Sequence, residues 1–234
     1  MPRLGGRKLY CLLKPTFKEQ GIKLGRDGFF DYLRDHRLLV PPLKRFVKTT
    51  QSKHWMKKYP NLLGGQEVNR AEQAFVSDIT YVETEEGVHS LSLVTDAYSR
   101  KIMGYEVSDN LRADSVVKAL RQAARQRQTR RSLLHHSDRG LQYCSSIYQQ
   151  ELKRHDITPS MTDGYDCYQN ALAERVNGIL KQEFLLFKCR DLQELKGLVR
   201  ESVDIYNRLR PHLSLDMKTP EEVHNKATSE AEVA

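Results

Sequence analysis

The sequence predicts an α/β fold: a mixed five-stranded sheet with helices on both faces, preceded by a small all-α unit. Three observations carry this expectation. AFVSDITYV, VHSLSLVTDAYS and RKIMGYEV follow one another with only EEG and a Tyr-Ser turn dividing them. They are rich in β-branched and aromatic residues, so they read as three strands joined by hairpins. Two segments of helical period, Ala113 to Gln126 and Ser145 to His155, then alternate with the short apolar runs RSLLHHS and ITPSM. A strand reached through a crossover helix lies parallel to the strand it joins, which makes the sheet mixed. The front of the chain reads as two helices joined by a glycine-containing turn. The expected division is 1–42 for the helical unit, 43–72 for a basic linker, 73–226 for the α/β core and 227–234 for a disordered tail.

Composition bounds the function. With 234 residues, 39% of them hydrophobic, the chain can bury one substantial core and a small second unit. No run of about 18 apolar residues is present to span a bilayer. MPRLGGRKLYCLL has too short an apolar stretch for a signal peptide, so no membrane partner and a cytoplasmic location are expected. Cys11, Cys144, Cys167 and Cys189 are scattered without a CxxC pair, which suggests neither a zinc finger nor a disulfide framework. The net charge is +8, with a pI near 9.3, and it is unevenly spread. Residues 1–60 hold fifteen Lys and Arg against four Asp and Glu, whereas residues 61–110 hold three against nine. A front so basic attracts a polyanion, and release of counterions from phosphates gives salt-sensitive affinity for DNA.

The first helix is expected over Arg7 to Glu19, with Leu9, Tyr10, Leu12 and Leu13 apolar and Pro15 ending or bending it. GIKLGRD makes the turn. Asp27 to His36 forms the second helix, with Phe29, Phe30 and Leu33 inward and Asp27 near its positive end. Such a pair suggests a helix-turn-helix. Asp27, Asp31 and Asp35 would repel phosphates, so a packing role for this second helix is as well supported as base reading. VPPLKRFVKTTQSKHWMKKYPNLLGG is basic and proline-punctuated, suited to a linker lying on DNA. Trp55 and Tyr59, among Lys53, Lys57 and Lys58, are expected to anchor that linker, with base stacking the alternative.

Within the core, Asp78 lies in the middle of a strand, where a carboxylate costs stability and needs a reason. Asp138 follows the run LLHHS and can open a turn, and Asp96 in TDAYSR is read as a turn residue. His135 and His136 lack partners for a zinc site, so one is expected as a buried strand histidine. TDGYDCYQNALAERVNGILK enters a proline-free helix at about Tyr168. Asn170, Glu174, Asn177 or Gly178, and Lys181 recur along one face, and Leu172, Val176, Ile179 and Leu180 fall on the other. The apolar side is expected on the core and the polar stripe outward.

Between Asp78 and Asp138 lie 59 residues, between Asp138 and Glu174 lie 35, and a lysine stands seven positions after the glutamate. This pattern resembles the D, D(35)E signature of the transposase and retroviral integrase superfamily. FVSDITYV, LSLVTDAYSRKIMGY, HHSDRGLQYCS, NALAERVNGILKQE and YNRLRPHLSLDMKTPEE resemble, in order, the integrase core of OrfB-type insertion-sequence transposases over roughly residues 73 to 224. The resemblance implies a ribonuclease-H-like fold in the order βββαβαβα, with Asp78 and Asp138 on neighbouring strands and Glu174 reaching across from a helix. It implies that these three carboxylates are catalytic and hold two Mg²⁺ ions, with Mn²⁺ as a substitute. The chemistry would be cleavage at the element's ends followed by strand transfer of the freed 3′-hydroxyl, without a covalent protein intermediate.

By the same resemblance, Lys181 contacts DNA near the scissile phosphate. Asn170 and Arg175 flank the glutamate and either order the helix start or touch DNA. Tyr206, Asn207, Arg210, Pro211 and His212 match the family's YNxxRPH element, a brace with phosphate contact by Arg210. Implied partners are DNA, as transposon ends and target, further copies of the chain on that DNA, and an upstream-frame OrfA-type protein or fusion. The chain departs from the family in having Phe75 where tryptophan is usual, and in a less basic loop that carries Asp163 and Asp166. The alternative readings are a catalytically silent DNA-binding regulator of transposition and a ribonuclease-H-type nuclease.

Overall fold

In the computed structural model, which describes residues 3–40, 54–163 and 170–233, the three strand-like runs form β1 (Ala74–Glu83), β2 (Val88–Asp96) and β3 (Ile102–Ser108). The linker over 43–53, Asp166 and the expected helix start at Tyr168 lie outside the described residues. β1 and β3 both pair antiparallel with β2, while β4 (Leu133–Ser137) and β5 (Ile157–Met161) add in parallel through helical crossovers, giving the order β3-β2-β1-β4-β5. This is the expected mixed sheet.

Side chains alternate across the sheet, and each parity buries its own layer. Phe75, Val94 and Met103 point to one face, where they pack on α3 (Ala113–Arg125) and α5 (Ser146–Arg154), the latter preceded by the single turn α4 (Leu141–Cys144). Leu91, Leu93, Ile102 and Val107 point to the other, against α6 (Ala171–Ile179), the π-helical turn Leu180–Phe184 that extends it, and α7 (Leu192–Arg208). At Gly104 the approach of α3 to β3 is so close that a Cβ would run into the Ala119 carbonyl and the Ala123 amide. Only glycine fits there.

Ahead of the core, α1 (Gly6–Glu19) and α2 (Arg26–Asp35) pack through Tyr10, Phe17 and Phe29, with ring centroids 5.6–6.3 Å apart. Pro15 does not end α1: Phe17, beyond it, is held by Tyr10 and Phe29, which keeps the last turn in place despite the missing amide. Residues 54–72 lie along the core. Met56 and Tyr59 pack on the α3 side, Leu63 and Val68 near Ala74 and Val76, and the Leu62 amide donates to Ser160 Oγ at 2.9 Å. Tyr59 therefore anchors this stretch as expected, but Trp55 does not, being 91% exposed.

The tail expected to be disordered from Ala227 is helical, continuing α8 (Pro220–Val233). Its anchor is polar. His224, fully buried, sits between two buried carboxylates, Glu72 at 3.5 Å and Asp96 at 3.6 Å, and Thr228 Oγ1 donates to Gln128. Asp96 also accepts the Glu72 amide, the Ser99 amide and the Ser99 hydroxyl, which fits its reading as a structural turn residue.

Candidate active site

The register between β1 and β4 brings the two aspartates together. Val76 pairs with His136 in parallel. Two residues further along each strand stand Asp78 and Asp138, side by side where β4 ends at Ser137. Alternation puts Asp78 on the face of Ala74 and Val76, under α6, and opposite Leu93 of β2. Its carboxyl is pushed up to about 7, chiefly by burial and next by the charge of Asp138, with Glu174 adding to the effect. The opposing pull toward the charged form comes from Asn177, whose Nδ2 donates to Asp78 Oδ2 at 2.8 Å, and from the Ile79 amide. Asp138 Oδ1 accepts the Gly140 amide at 2.9 Å.

α6 takes over as the partner of β1 where the β1–β4 ladder stops at Val76. Asn170 Nδ2 donates to the Ser77 carbonyl at 3.1 Å, Asn177 holds Asp78, and Lys181 Nζ reaches Thr80 Oγ1 at 3.5 Å. The polar stripe is thus turned largely inward, contrary to expectation. Its amides satisfy strand groups that β4 no longer reaches, while Val176, Ile179 and Leu180 pack on β2 and β3 from the same helix. Glu174 and Arg175 remain exposed, and burial of Lys181 lowers its ammonium pKa. Asn170 is buried and acts as a brace for β1.

Beneath the aspartates, Ser77 Oγ and Tyr148 OH both stand 2.8 Å from His135 Nε2. Burial pushes that imidazole down to about 3, so it stays neutral. His136 Nδ1 pairs with Ser160 Oγ at 2.9 Å. Both histidines are buried strand residues. Around Asp138, Ser137 Oγ donates to the Asp138 carbonyl, Gln142 to the Leu111 carbonyl, and Arg139 lies 3.9 Å from Asp163.

Arg210 does not face a phosphate. It is 1% exposed, and its Nε and Nη2 grip Glu183 at 2.7 and 2.6 Å while Nη1 meets His212 at 2.9 Å. Lys8 of α1 joins the same carboxylate at 3.3 Å. A guanidinium buried this deeply needs a carboxylate inside the protein, which removes it from the surface. With Tyr206 OH on the Arg100 carbonyl and Asn207 bonding both the amide and the carbonyl of Ile102, the YNRLRPH element is a brace between α7 and β3. Sequence reasoning also missed Asn177 as a partner of Asp78; its signal was its place three residues after Glu174 and seven after Asn170, on one helical face.

Among the described residues, no three His, Cys, Asp or Glu side chains are placed as one cluster able to hold a metal ion. Asp78 and Asp138 lie within reach of each other's charge, and Glu174 acts on Asp78 through its charge from an exposed position on α6.

The integrase core domain family matches residues 68–167 and, in a second form, 155–220. The insertion element IS600 uncharacterized 31 kDa protein of Shigella sonnei is 34% identical over 211 residues, 89% of this chain and 78% of that protein. Transposase InsF for insertion sequence IS3A of Escherichia coli is 33% identical over 219 residues, 92% of this chain and 75% of its own. The HTLV-2 integrase catalytic core domain, solved in complex with magnesium, aligns with a TM-score of 0.54 at 20% identity over 66% of this chain and 97% of that one. A simian T-cell lymphotropic virus intasome chain aligns with a TM-score of 0.59 at 18% identity, over 75% of this chain and 60% of that one. At such identities the two structures speak for the fold alone. Sheet order, paired aspartates and sequence relatives agree: the chain belongs to the integrase-core transposases of insertion sequences, the family of the IS3 transposase InsF.

Proposed function

We propose that Asp78, Asp138 and Glu174 are the catalytic carboxylates of this transposase and together hold two Mg²⁺ ions, with Mn²⁺ able to substitute. The observation that supports this reading best is the pair of aspartates side by side on the parallel strands β1 and β4, Asp78 within β1 and Asp138 just past the end of β4, where burial and mutual repulsion push Asp78 up to about 7. Such a site demands positive charge, and its donors are all hard carboxylate oxygens, the set that divalent magnesium or manganese takes. Bound there, such ions would supply charge that activates an attacking hydroxyl and stabilises the leaving oxygen at phosphorus.

The chain's own groups do the positioning. Asn177 holds one oxygen of Asp78 and the Gly140 amide one oxygen of Asp138, which sets the orientation of both carboxylates. Glu174 completes the set from α6, with Arg175 beside it and Lys181 two turns along, both suited to phosphate contact. Asn170 and Arg210 act inside the protein instead. The substrates are the element's ends and a target duplex, handled by several copies of the chain in the cytoplasm, with end recognition shared with an upstream-frame protein or fusion.

A labelled duplex carrying the element's ends, incubated with Mg²⁺ or Mn²⁺ and with or without the upstream-frame protein, tests the reading. Joined product that disappears in Glu174→Gln is expected. Nicks that never join would make the protein a nuclease, and binding without any cleavage would make it a regulator.

A further inference from the structure

Trp55 is the only tryptophan of the chain and is 91% exposed, yet its neighbours on both sides are held. His54 Nε2 bonds the Arg139 carbonyl at 2.7 Å. Met56 and Tyr59 pack on the core, and Lys57 Nζ lies 5.1 Å from the centre of the Tyr59 ring. Arg139 directly follows Asp138, so this hydrogen bond brings Trp55 beside the loop of the second aspartate. An indole is usually among the most buried side chains on average, and here the flanking residues find partners on the protein while the ring remains in water. The surroundings are cationic. Lys57 and Lys58 follow in sequence, Arg139 is the residue whose carbonyl holds His54, and Lys58, Arg139 and Asp138 all lie within electrostatic reach of Cys144.

We propose that Trp55 is a stacking platform for an unpaired base at the DNA end held in the active site. The proposal rests on the transposase reading above. An aromatic face among lysines is the combination that binds single-stranded nucleic acid: the ring takes a base and the cations take its flanking phosphates. A base inside a duplex offers no free face, whereas a terminal or unpaired one does, and the reaction proposed here works at strand ends. The segment is pinned at His54 and Tyr59, so the ring is presented without the cost of ordering a loose linker.

A single tryptophan makes the test direct. Full-length protein in EDTA, which prevents cleavage, is titrated with a single-stranded oligonucleotide, a duplex with an unpaired end and a G·C-clamped blunt duplex. Tryptophan fluorescence reads stacking and anisotropy of labelled DNA reads binding. The unpaired DNAs are expected to quench Trp55, and the blunt duplex to bind without quenching it. Trp55→Ala should lower affinity for unpaired ends about tenfold and leave the blunt duplex unchanged, and Trp55→Phe should restore most of the loss. Unquenched fluorescence at saturating single-stranded DNA, or wild-type affinity in Trp55→Ala, overturns the proposal. So does quenching that depends on protein concentration without DNA, which assigns the ring to a second copy. Failure to bind any of the three DNAs would instead sink the transposase reading.

Discussion

A carboxylic acid in the middle of a strand is tolerated only for a reason, and at Asp78 the reason has a measurable cost. Its ionisation is opposed by burial and by Asp138, which raises its pKa from 3.8 to about 7. Because the folded value lies above the unfolded one, its contribution to stability is complete below about pH 4 and is lost as pH rises toward 7, up to about 4 kcal/mol before local relaxation. Asp78→Asn should therefore melt higher than the wild type in metal-free buffer, with the gap opening between pH 4 and pH 7 in thermal scans. Curves that run parallel across that range would mean that Asp78 is not under this strain. The acid itself was legible in the sequence, since Asp78 breaks an otherwise apolar strand and the spacing to Asp138 and Glu174 is distinctive. Its holder was not. Asn177 looks like any surface amide until the end of β4 is known, because only there does β1 need a partner from α6.

Among the elements, strands were readable because alternation is local, and helix bounds because turn and cap residues punctuate them. Orientation was less so. Arg210 and Glu183 lie 27 residues apart, and nothing in the sequence says that the second arginine of YNRLRPH is buried against a carboxylate of the π-helical turn before α7. The pairing predicts that Glu183→Gln, which leaves a buried guanidinium without its counter-charge, destabilises the protein by about 3 kcal/mol in urea unfolding. Arg210→Ala should likewise act on stability and leave the salt dependence of DNA binding unchanged; a shallower salt slope would return it to the phosphate contacts. Packing of α3 on β3 makes a second test. Gly104→Ala must push α3 off the strand by its backbone, with an expected loss of about 3 kcal/mol, and a near-neutral result would contradict the close approach.

Across the whole molecule, distant parts are joined by buried charge: α1 through Lys8 to Glu183, and α8 through His224 to Glu72 and Asp96. Burial works against the His224 imidazolium, but the two carboxylates raise its pKa above 6.5; against its own burial, the nearby His224 and hydrogen bonds from Gln128 and Thr129 hold Glu72 at about 2. The clamp is strongest between these limits. It loses the His224 contribution as pH rises through that raised value and the Glu72 contribution as pH falls from 4.5 toward 2. His224→Ala should cost about 3 kcal/mol near pH 6 and remove the alkaline part of that loss, as urea unfolding at several pH values would read. The tail was misjudged because its small polar residues carry no core signal, and only the buried His224 and Thr228 show that it docks. What unites the molecule is the centre made by β1, the end of β4 and α6. Manganese binding, followed by the resonance of the free ion in the presence of end DNA, tests that centre most directly. Asp78→Asn, Asp138→Asn and Glu174→Gln should each weaken the wild-type affinity at least about tenfold while DNA affinity holds. Wild-type manganese binding in any one of the three would take that residue out of the site.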